Sequence, residues 1–480
     1  METSLKNLNN RKQILNDITK YISYVLFAGV ILVVLQGFFS LALLGTVRNT
    51  TSNNSHFMHY TQFYLKFCAM LLTIVLLMYY GIKTYIVFDE KRYSAIGKFI
   101  KSNIMLLPLG LMLIWAFISL FHSPDFEKSL YGSGYINEGF FTVLEYAVVF
   151  LSAYAIRQEL KISKMVILWT FVIMAGLICF IMWGALVVDY NFGTTKKTGV
   201  FNNSNHYGYF LAMSTTATFA LLVYSKKDWQ VALLAVLLAL NVHNLLYCNT
   251  LGANFAFIGG IIFIICSGAM TKKIRWMNLI IAFFVTGLVV FIDEVVGISK
   301  MWKQYVSFFE DVGILADSAT GGSSDPNLVG TGRYSLWKRT IAVIKQVPWF
   351  GKGMDLYYAN NIYDKRLDVP HNEYLAMASN IGIPGLVLYL VMIIWWFAKA
   401  VYQKDNMSII DLSIMAGAFA YLISAFTGNS FTYTYPYFLV FYAMSMQPTI
   451  PKEKRYKKLQ TENTLDAIEN RTALENIKSE

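Results

Sequence analysis

The sequence predicts an all-α, polytopic integral membrane protein with about 12 transmembrane helices and a large extracytoplasmic loop between helices 9 and 10. Composition is the first ground. Of 480 residues, 56% are hydrophobic and only 14% charged, with a mean hydropathy of +0.46; soluble domains carry about 25% charged residues. Length is the second, because apolar stretches recur near the roughly 20 residues that a helix needs to cross a hydrocarbon core. Charge placement is the third, with Lys and Arg gathered in alternate loops. Together these exclude cytosolic globular domains, a disordered chain and a disulfide scaffold, since four cysteines are sparse for this length. Uninterrupted apolar runs also exclude a membrane β-barrel, whose strands alternate in character over about 10 residues.

Taken in order, residues 1–20 read as a cytoplasmic segment. Nine spans fill 21–292: 21–46, 63–82, 103–121, 139–156, 165–188, 208–224, 229–247, 251–270 and 278–292. The first is too long for the apolar core of a cleaved signal peptide and is expected to stay as an anchor. The large loop is 293–373, spans 374–398, 409–426 and 431–446 fill 374–446, and 447–480 forms a polar tail. With the N-terminus inside, the inner loops hold 26 Lys and Arg against 4 on the short outer loops, which puts both termini in the cytoplasm. This asymmetry accounts for the net charge of +11 without nucleic acid. Lys452-Glu-Lys454-Arg455 and Lys457-Lys458 add attraction to anionic lipid. Cys68, Cys179, Cys248 and Cys266 fall in or beside spans and read as small packing residues.

The outer loop is the outlier, since long connections are usually functional. It opens on Trp302, Tyr305, Phe308 and Phe309, passes a flexible run ending at Pro326, and reaches Gly330-Thr-Gly-Arg333. Tyr334, Trp337, Ile341 and Ile344 share a helical face, so a surface helix is expected to start near Arg333 and lie against the membrane. A turn follows at Pro348-Trp-Phe-Gly-Lys-Gly353, and the loop rejoins the bilayer at Val369-Pro-His-Asn-Glu-Tyr374. Outside the cell there is no ATP supply, and Gly330-Thr-Gly-Arg333 does not complete a phosphate loop ending in Gly-Lys-Ser/Thr. A substrate must therefore arrive activated, as lipid-diphosphate sugars do.

A diphosphate asks for cations. Arg333 at a helix N-terminus would offer a forked guanidinium beside free backbone N–H groups; it reads equally as an arginine snorkelling to lipid phosphate. His371, at the start of the tenth span, would take a proton from an attacking hydroxyl, or else cap the helix together with Asn372. Asn202, Asn203 and Asn205 would bind sugar hydroxyls or satisfy a turn. Trp337, Trp349, Tyr357 and Tyr358 would stack on sugars or form an interfacial belt. No zinc spacing such as His-Glu-x-x-His occurs, and the loop carboxylates are not spaced as ligands, so the expected chemistry uses no metal. Lys66, Glu145, Asp411 and His243 lie in or at the ends of spans, where ionisable groups default to functional suspects.

At these residues the sequence resembles the O-antigen ligase and polymerase family, membrane glycosyltransferases of bacterial surface polysaccharides. The matching stretches are Gly199-Val-Phe-Asn-Asn-Ser-Asn-His206, Gly332-Arg333-Tyr-Ser-Leu-Trp337, Pro348-Trp-Phe-Gly-Lys-Gly353, and His371-Asn-Glu-Tyr-Leu375 leading to Gly382-Ile-Pro-Gly385. The resemblance implies a cofactor-free, metal-independent glycosyltransferase acting on polyprenyl-diphosphate-linked oligosaccharide at the outer face of the cell membrane. It implies that Arg333 engages diphosphate and that His371 is essential. Where the family often has Ser-Arg-Gly at the start of the eighth span, this chain has Asn249-Thr-Leu-Gly252, so Leu251 supplies no cation. Lys338, Arg339 and Arg366 are the candidates to replace it, and Trp337 and Asn372 join the substrate-binding candidates. The expected partners are the lipid-linked donor, a glycan acceptor, membrane lipids and other polysaccharide-assembly proteins, without nucleic acid. The expected reaction lengthens a polymer of repeat units. A ligase handing finished polymer to another acceptor is the near alternative, and a transporter or flippase of lipid-linked sugars the distant one.

Overall fold

Within hydrocarbon every backbone N–H and C=O must find its partner inside the protein, which leaves long apolar runs no form but the helix. The computed structural model describes residues 2–39, 54–89, 97, 103–132, 137–187, 196–201, 203–319, 329–330, 332–356, 369–429 and 433–446, and among them regular structure is entirely helical. We number the α-helices α1 (Glu2–Val34), α2 (Asn54–Asp89), α3 (Leu107–Leu120), α4 (Phe126–Tyr131), α5 (Phe140–Glu159), α6 (Ser163–Val187), α7 (Ser204–Tyr224) and α8 (Asp228–Tyr247). They continue as α9 (Leu251–Thr271), α10 (Trp276–Val295), α11 (Met301–Ala319), α12 (Arg333–Gln346), α13 (Glu373–Tyr402), α14 (Ile409–Ser424) and α15 (Tyr435–Ser445).

Eight of these helices, α1, α2, α5, α6, α8, α9, α10 and α13, are long and apolar enough to cross a membrane. The protein is therefore read as a multi-pass membrane protein. α3 and α14 are apolar but shorter. Two helices differ in kind from the spans expected at 208–224 and 431–446. α7 is dotted with Ser, Thr and His, and every residue from His206 to Tyr224 is buried. It is the central post of the bundle, encased by α8, α9 and α14, so its polar side chains face protein rather than lipid: Ser214 bonds Asn241 at 2.7 Å and Thr218 the Ser214 carbonyl at 2.7 Å. α15, started by Pro436 in its first turn, has only 11 residues, all buried. At about 1.5 Å per residue it covers roughly half of a hydrocarbon core.

Small residues let the post be gripped closely. A Cβ on Gly260 of α9 would meet Thr216 of α7 at 2.5 Å, so that seam requires glycine. Elsewhere α1 packs on α2 and α5, α15 on α5 and α14, and α3 on α13.

The segment between α10 and α13 is not structureless. It holds α11, whose Tyr305 and Phe308 rings pack against Phe255 of α9, and α12, which begins at Arg333 as the periodicity predicts. The face of α12 that packs on protein is distinct from the aromatic face expected to lie against the membrane. Leu336, Thr340, Val343 and Ile344 are buried, whereas Ile341 is exposed. Thr340 explains the difference: its hydroxyl bonds the Leu336 carbonyl at 2.8 Å, so a nominally polar residue buries without loss. α12 leans on α13.

α13 is kinked where Gly382 adopts φ +79 and ψ 171, two residues before Pro384. The Pro348–Gly353 turn plugs into this kink. Lys352 N–H donates to the Ser379 carbonyl at 2.7 Å, Gly353 N–H to that of Asn380 at 3.2 Å, and Ile383 N–H to that of Pro348 at 2.8 Å. Gly351, at φ +72, leaves only 2.5 Å between a Cβ and the Asn380 carbonyl, and a side chain on Gly382 would overlap the Trp349 carbonyl. The two glycine-rich motifs are thus halves of one interlock, and its product is the position of the α13 N-terminus.

Candidate active site

The α13 N-terminus is held from four sides. Asn372 is its N-cap, with a side-chain oxygen that accepts the Leu375 N–H at 3.0 Å. Glu373 N–H donates to the Ala425 carbonyl at 2.9 Å. The Glu373 carboxyl group is fully buried and receives the hydroxyls of Tyr389 and Tyr421, each at 2.8 Å. Trp337 Nε1–H, from α12, donates to the Pro370 carbonyl at 2.8 Å. His371 sits inside this clamp at φ +48, a left-handed conformation uncommon outside glycine that neighbours must enforce.

Trp337 lies one helical turn after Arg333, so the bond that pins Pro370 also brings Arg333 to the same side of the bundle as His371. Arg333 lies within electrostatic reach of the Tyr209 hydroxyl, which donates to the Thr427 carbonyl at 2.6 Å. His206, one turn before Tyr209 on α7, is buried, packs its ring 5.2 Å from Tyr433, and is within electrostatic reach of His371. Asn429 completes the group, its Nδ2 lying 3.4 Å from His371 Nδ1. His206, His371 and Asn429 thus lie together at the α13 N-terminus, with Arg333 within electrostatic reach of Tyr209 one turn further along α7.

The other expected site residues distribute as follows. Asn203 caps α7, accepting the N–H groups of Asn205 at 2.8 Å and His206 at 3.4 Å, so its oxygen serves the backbone. Asn205 is half-buried beside His206. Lys338 is exposed and lies over the Tyr334 ring, 5.7 Å from its centroid, outside the cluster. Arg339 is half-buried on α12. Asn202 and Arg366 lie outside the described residues, as do Tyr357 and Tyr358. Leu251 opens α9; its neighbour Gly252 packs on Thr427, the residue whose carbonyl holds Tyr209.

The four intramembrane suspects lie elsewhere. Asp411 forms a capping box with Ser408 and an ion pair with Lys164. His243 Nδ1 pairs with Asp293 at 2.9 Å, and Lys66 is within electrostatic reach of Glu145. Among the described residues no three His, Cys, Asp or Glu side chains gather as metal ligands.

Beside His371 a cavity runs between α3, α5, α13 and α15. Near its loop end Asp355 accepts the Glu138 N–H at 3.0 Å. Lys352, buried next to it, has its ammonium pushed down to about 7 by burial, which the Asp355 charge opposes. His206, Tyr209, Glu373 and Asn429 carried no signal in sequence that assigned them a role. His206 closes an amide-rich motif, Glu373 reads as an ordinary first-turn acid, and Asn429 lies 58 positions from its histidine.

Comparison with known families bears on this arrangement. Residues 234–390 match the O-antigen ligase family. The O-antigen ligase match covers roughly a third of the chain and runs from α8 into the first half of α13. It takes in Arg333, Trp337, the Pro348–Gly353 turn, His371 and the Gly382 kink, while the amide-rich stretch at 199–206 precedes it. The motif resemblance to O-antigen ligases and polymerases is thus accompanied by a family match over most of the same motifs. No curated protein matches the chain.

Proposed function

We propose that the protein is a metal-independent glycosyltransferase that polymerises polyprenyl-diphosphate-linked oligosaccharide repeat units into a cell-surface polysaccharide. The observation that supports this best is the convergence of Arg333 and His371 on one cluster through Trp337, Tyr209 and His206. His371 accepts the proton of a hydroxyl on the acceptor repeat unit. The hydroxyl oxygen forms a bond to the donor's anomeric carbon. The bond from that carbon to the diphosphate oxygen breaks, and its electron pair leaves on the polyprenyl diphosphate. Arg333 faces the developing negative charge, where a guanidinium offers two parallel donors. Asn205 and Trp337 border the donor sugar.

The same proposal sets the chain across the membrane 12 times, with both termini in the cytoplasm and the 293–373 segment outside. The excess of Lys and Arg on alternate loops supports that orientation. The test is direct: purified protein is incubated with lipid-linked repeat units, and the products are resolved by length on a gel. A ladder that disappears with His371→Ala is the expected result. A single unit that stays single with wild-type protein, or a full ladder with His371→Ala, refutes the assignment.

A further inference from the structure

The cavity beside His371 encloses about 130 Å³. Its wall is largely apolar, with Met112, Phe150, Met377, Met392 and Phe438 among the lining residues; Glu138, Asp355, Glu373 and Asn429 lie near the loop end, and Asn380 lines it further along α13. All three of these carboxyl groups already have protein partners, Asp355 through the Glu138 N–H at 3.0 Å. Tyr389 and Tyr421 serve Glu373, and Tyr146 donates its hydroxyl to Glu138 at 2.8 Å. Asn429 stands apart. It is only 5% exposed, it lines the cavity, and its Oδ1 is buried with no hydrogen-bond partner among the described residues. A buried amide atom without a partner is unfavourable unless something else supplies one.

We propose that this end of the cavity is the acceptor subsite, taking an uncharged, hydroxyl-bearing sugar ring that Asn429 links to His371. Charge selects the occupant. The carboxylates of Glu138 and Asp355, the latter partly offset by Lys352 beside it, repel a diphosphate but accept hydrogen bonds from hydroxyls. The diphosphate belongs on the other flank of His371, where Tyr209 and His206 lead to Arg333. Tyr146 and Tyr435 in the lining offer ring faces to the C–H side of a sugar. Turned through half a rotation, the Asn429 carboxamide accepts Nδ1–H from His371, leaves Nε2 bare for the acceptor's proton, and points its own Nδ2 at a sugar oxygen. In either orientation one polar atom remains for the ligand.

This subsite rests on the glycosyl-transfer reading, and the test separates the two. Lipid-linked repeat units from cells deleted for the gene serve as donor, and the oligosaccharide released from them by mild acid serves as soluble acceptor. Asn429→Leu is expected to raise the acceptor KM about tenfold while the donor KM stays within about twofold. A second readout needs no turnover. In a Cys266→Ser background, Met377→Cys is labelled with a maleimide; the free oligosaccharide is expected to slow labelling about fivefold, and Asn429→Leu to abolish that protection. Protection that survives Asn429→Leu, or a change in donor KM instead of acceptor KM, overturns the subsite. Protection without any sugar transfer by wild-type protein removes the catalytic reading alone, and transfer without protection removes the subsite alone.

Discussion

Arg333 shows why charge and geometry must be weighed separately at the residue scale. It is the first residue of α12, after an N-cap glycine at φ +87, and lies within electrostatic reach of Tyr209. A lysine there would keep the charge and lose the fork that fits two diphosphate oxygens at once. Arg333→Lys is expected to lower polymer formation on the order of a hundredfold without changing the amount of folded protein, as read by size-exclusion of the purified variant. Wild-type ladders from Arg333→Lys would reduce this residue to a lipid anchor. Lys352 argues the converse case, a charge that the fold opposes. It is fully buried, and its pKa is about 7 against an ordinary 10.5. Between those values the unfolded chain holds a proton that the folded chain does not, so the stability contributed here rises with pH from about 7 to 10.5; below 7 both states are charged and the penalty is at its full value. Lys352→Met removes that dependence. Its melting temperature in detergent is expected to exceed wild type most at pH 7 and by a shrinking margin at pH 9. A margin that is constant or grows with pH would contradict the buried ammonium.

At the scale of elements, the sequence makes starts and stops legible and leaves packing faces obscure. Arg333 after Gly332 announces where α12 begins, but nothing in the order of residues says that Thr340 hides its hydroxyl inside the helix, and the packed face therefore differs from the aromatic one. The histidine and the arginine were legible as candidates because motifs carry them. Asn429 was not, because its link to His371 is made only when the end of α14 folds back against the start of α13. The glycine motifs were legible as motifs yet silent about purpose, since their partner is each other. Gly382→Ala tests that purpose. The residue would have to hold φ +79 and push back the Trp349 carbonyl, a penalty of about 1–3 kcal/mol from the backbone alone. Thermal unfolding in detergent is expected to shift down by several degrees, and polymer formation to fall because the α13 N-terminus moves. Ile383→Ala, at a 44% exposed neighbour, is the control expected to change neither. Equal effects from both would mean that the kink is merely tolerated.

For the whole molecule, hydropathy reports what faces lipid and undercounts what the bundle keeps for itself. α7 was legible as a helix but not as the buried post, because a helix surrounded by protein needs no lipid-facing stripe and can spend its surface on Ser, Thr and His. That polar post is what carries His206 and Tyr209 to the cluster, so the element least like a membrane span supplies half of the candidate site. The orientation of the bundle follows from a different property, the distribution of Lys and Arg, and it can be wrong while every helix is right. The 26 inner against 4 short-loop outer charges predict that the segment between α10 and α13 is translocated. Alkaline phosphatase inserted at 320–328 is then expected to be active, since it folds only outside, and the same enzyme fused after residue 447 to be inactive. The reverse pattern would put Arg333 and His371 on the side of ATP and nucleotide sugars, and a donor delivered on the outer leaflet would no longer be the substrate that this site requires.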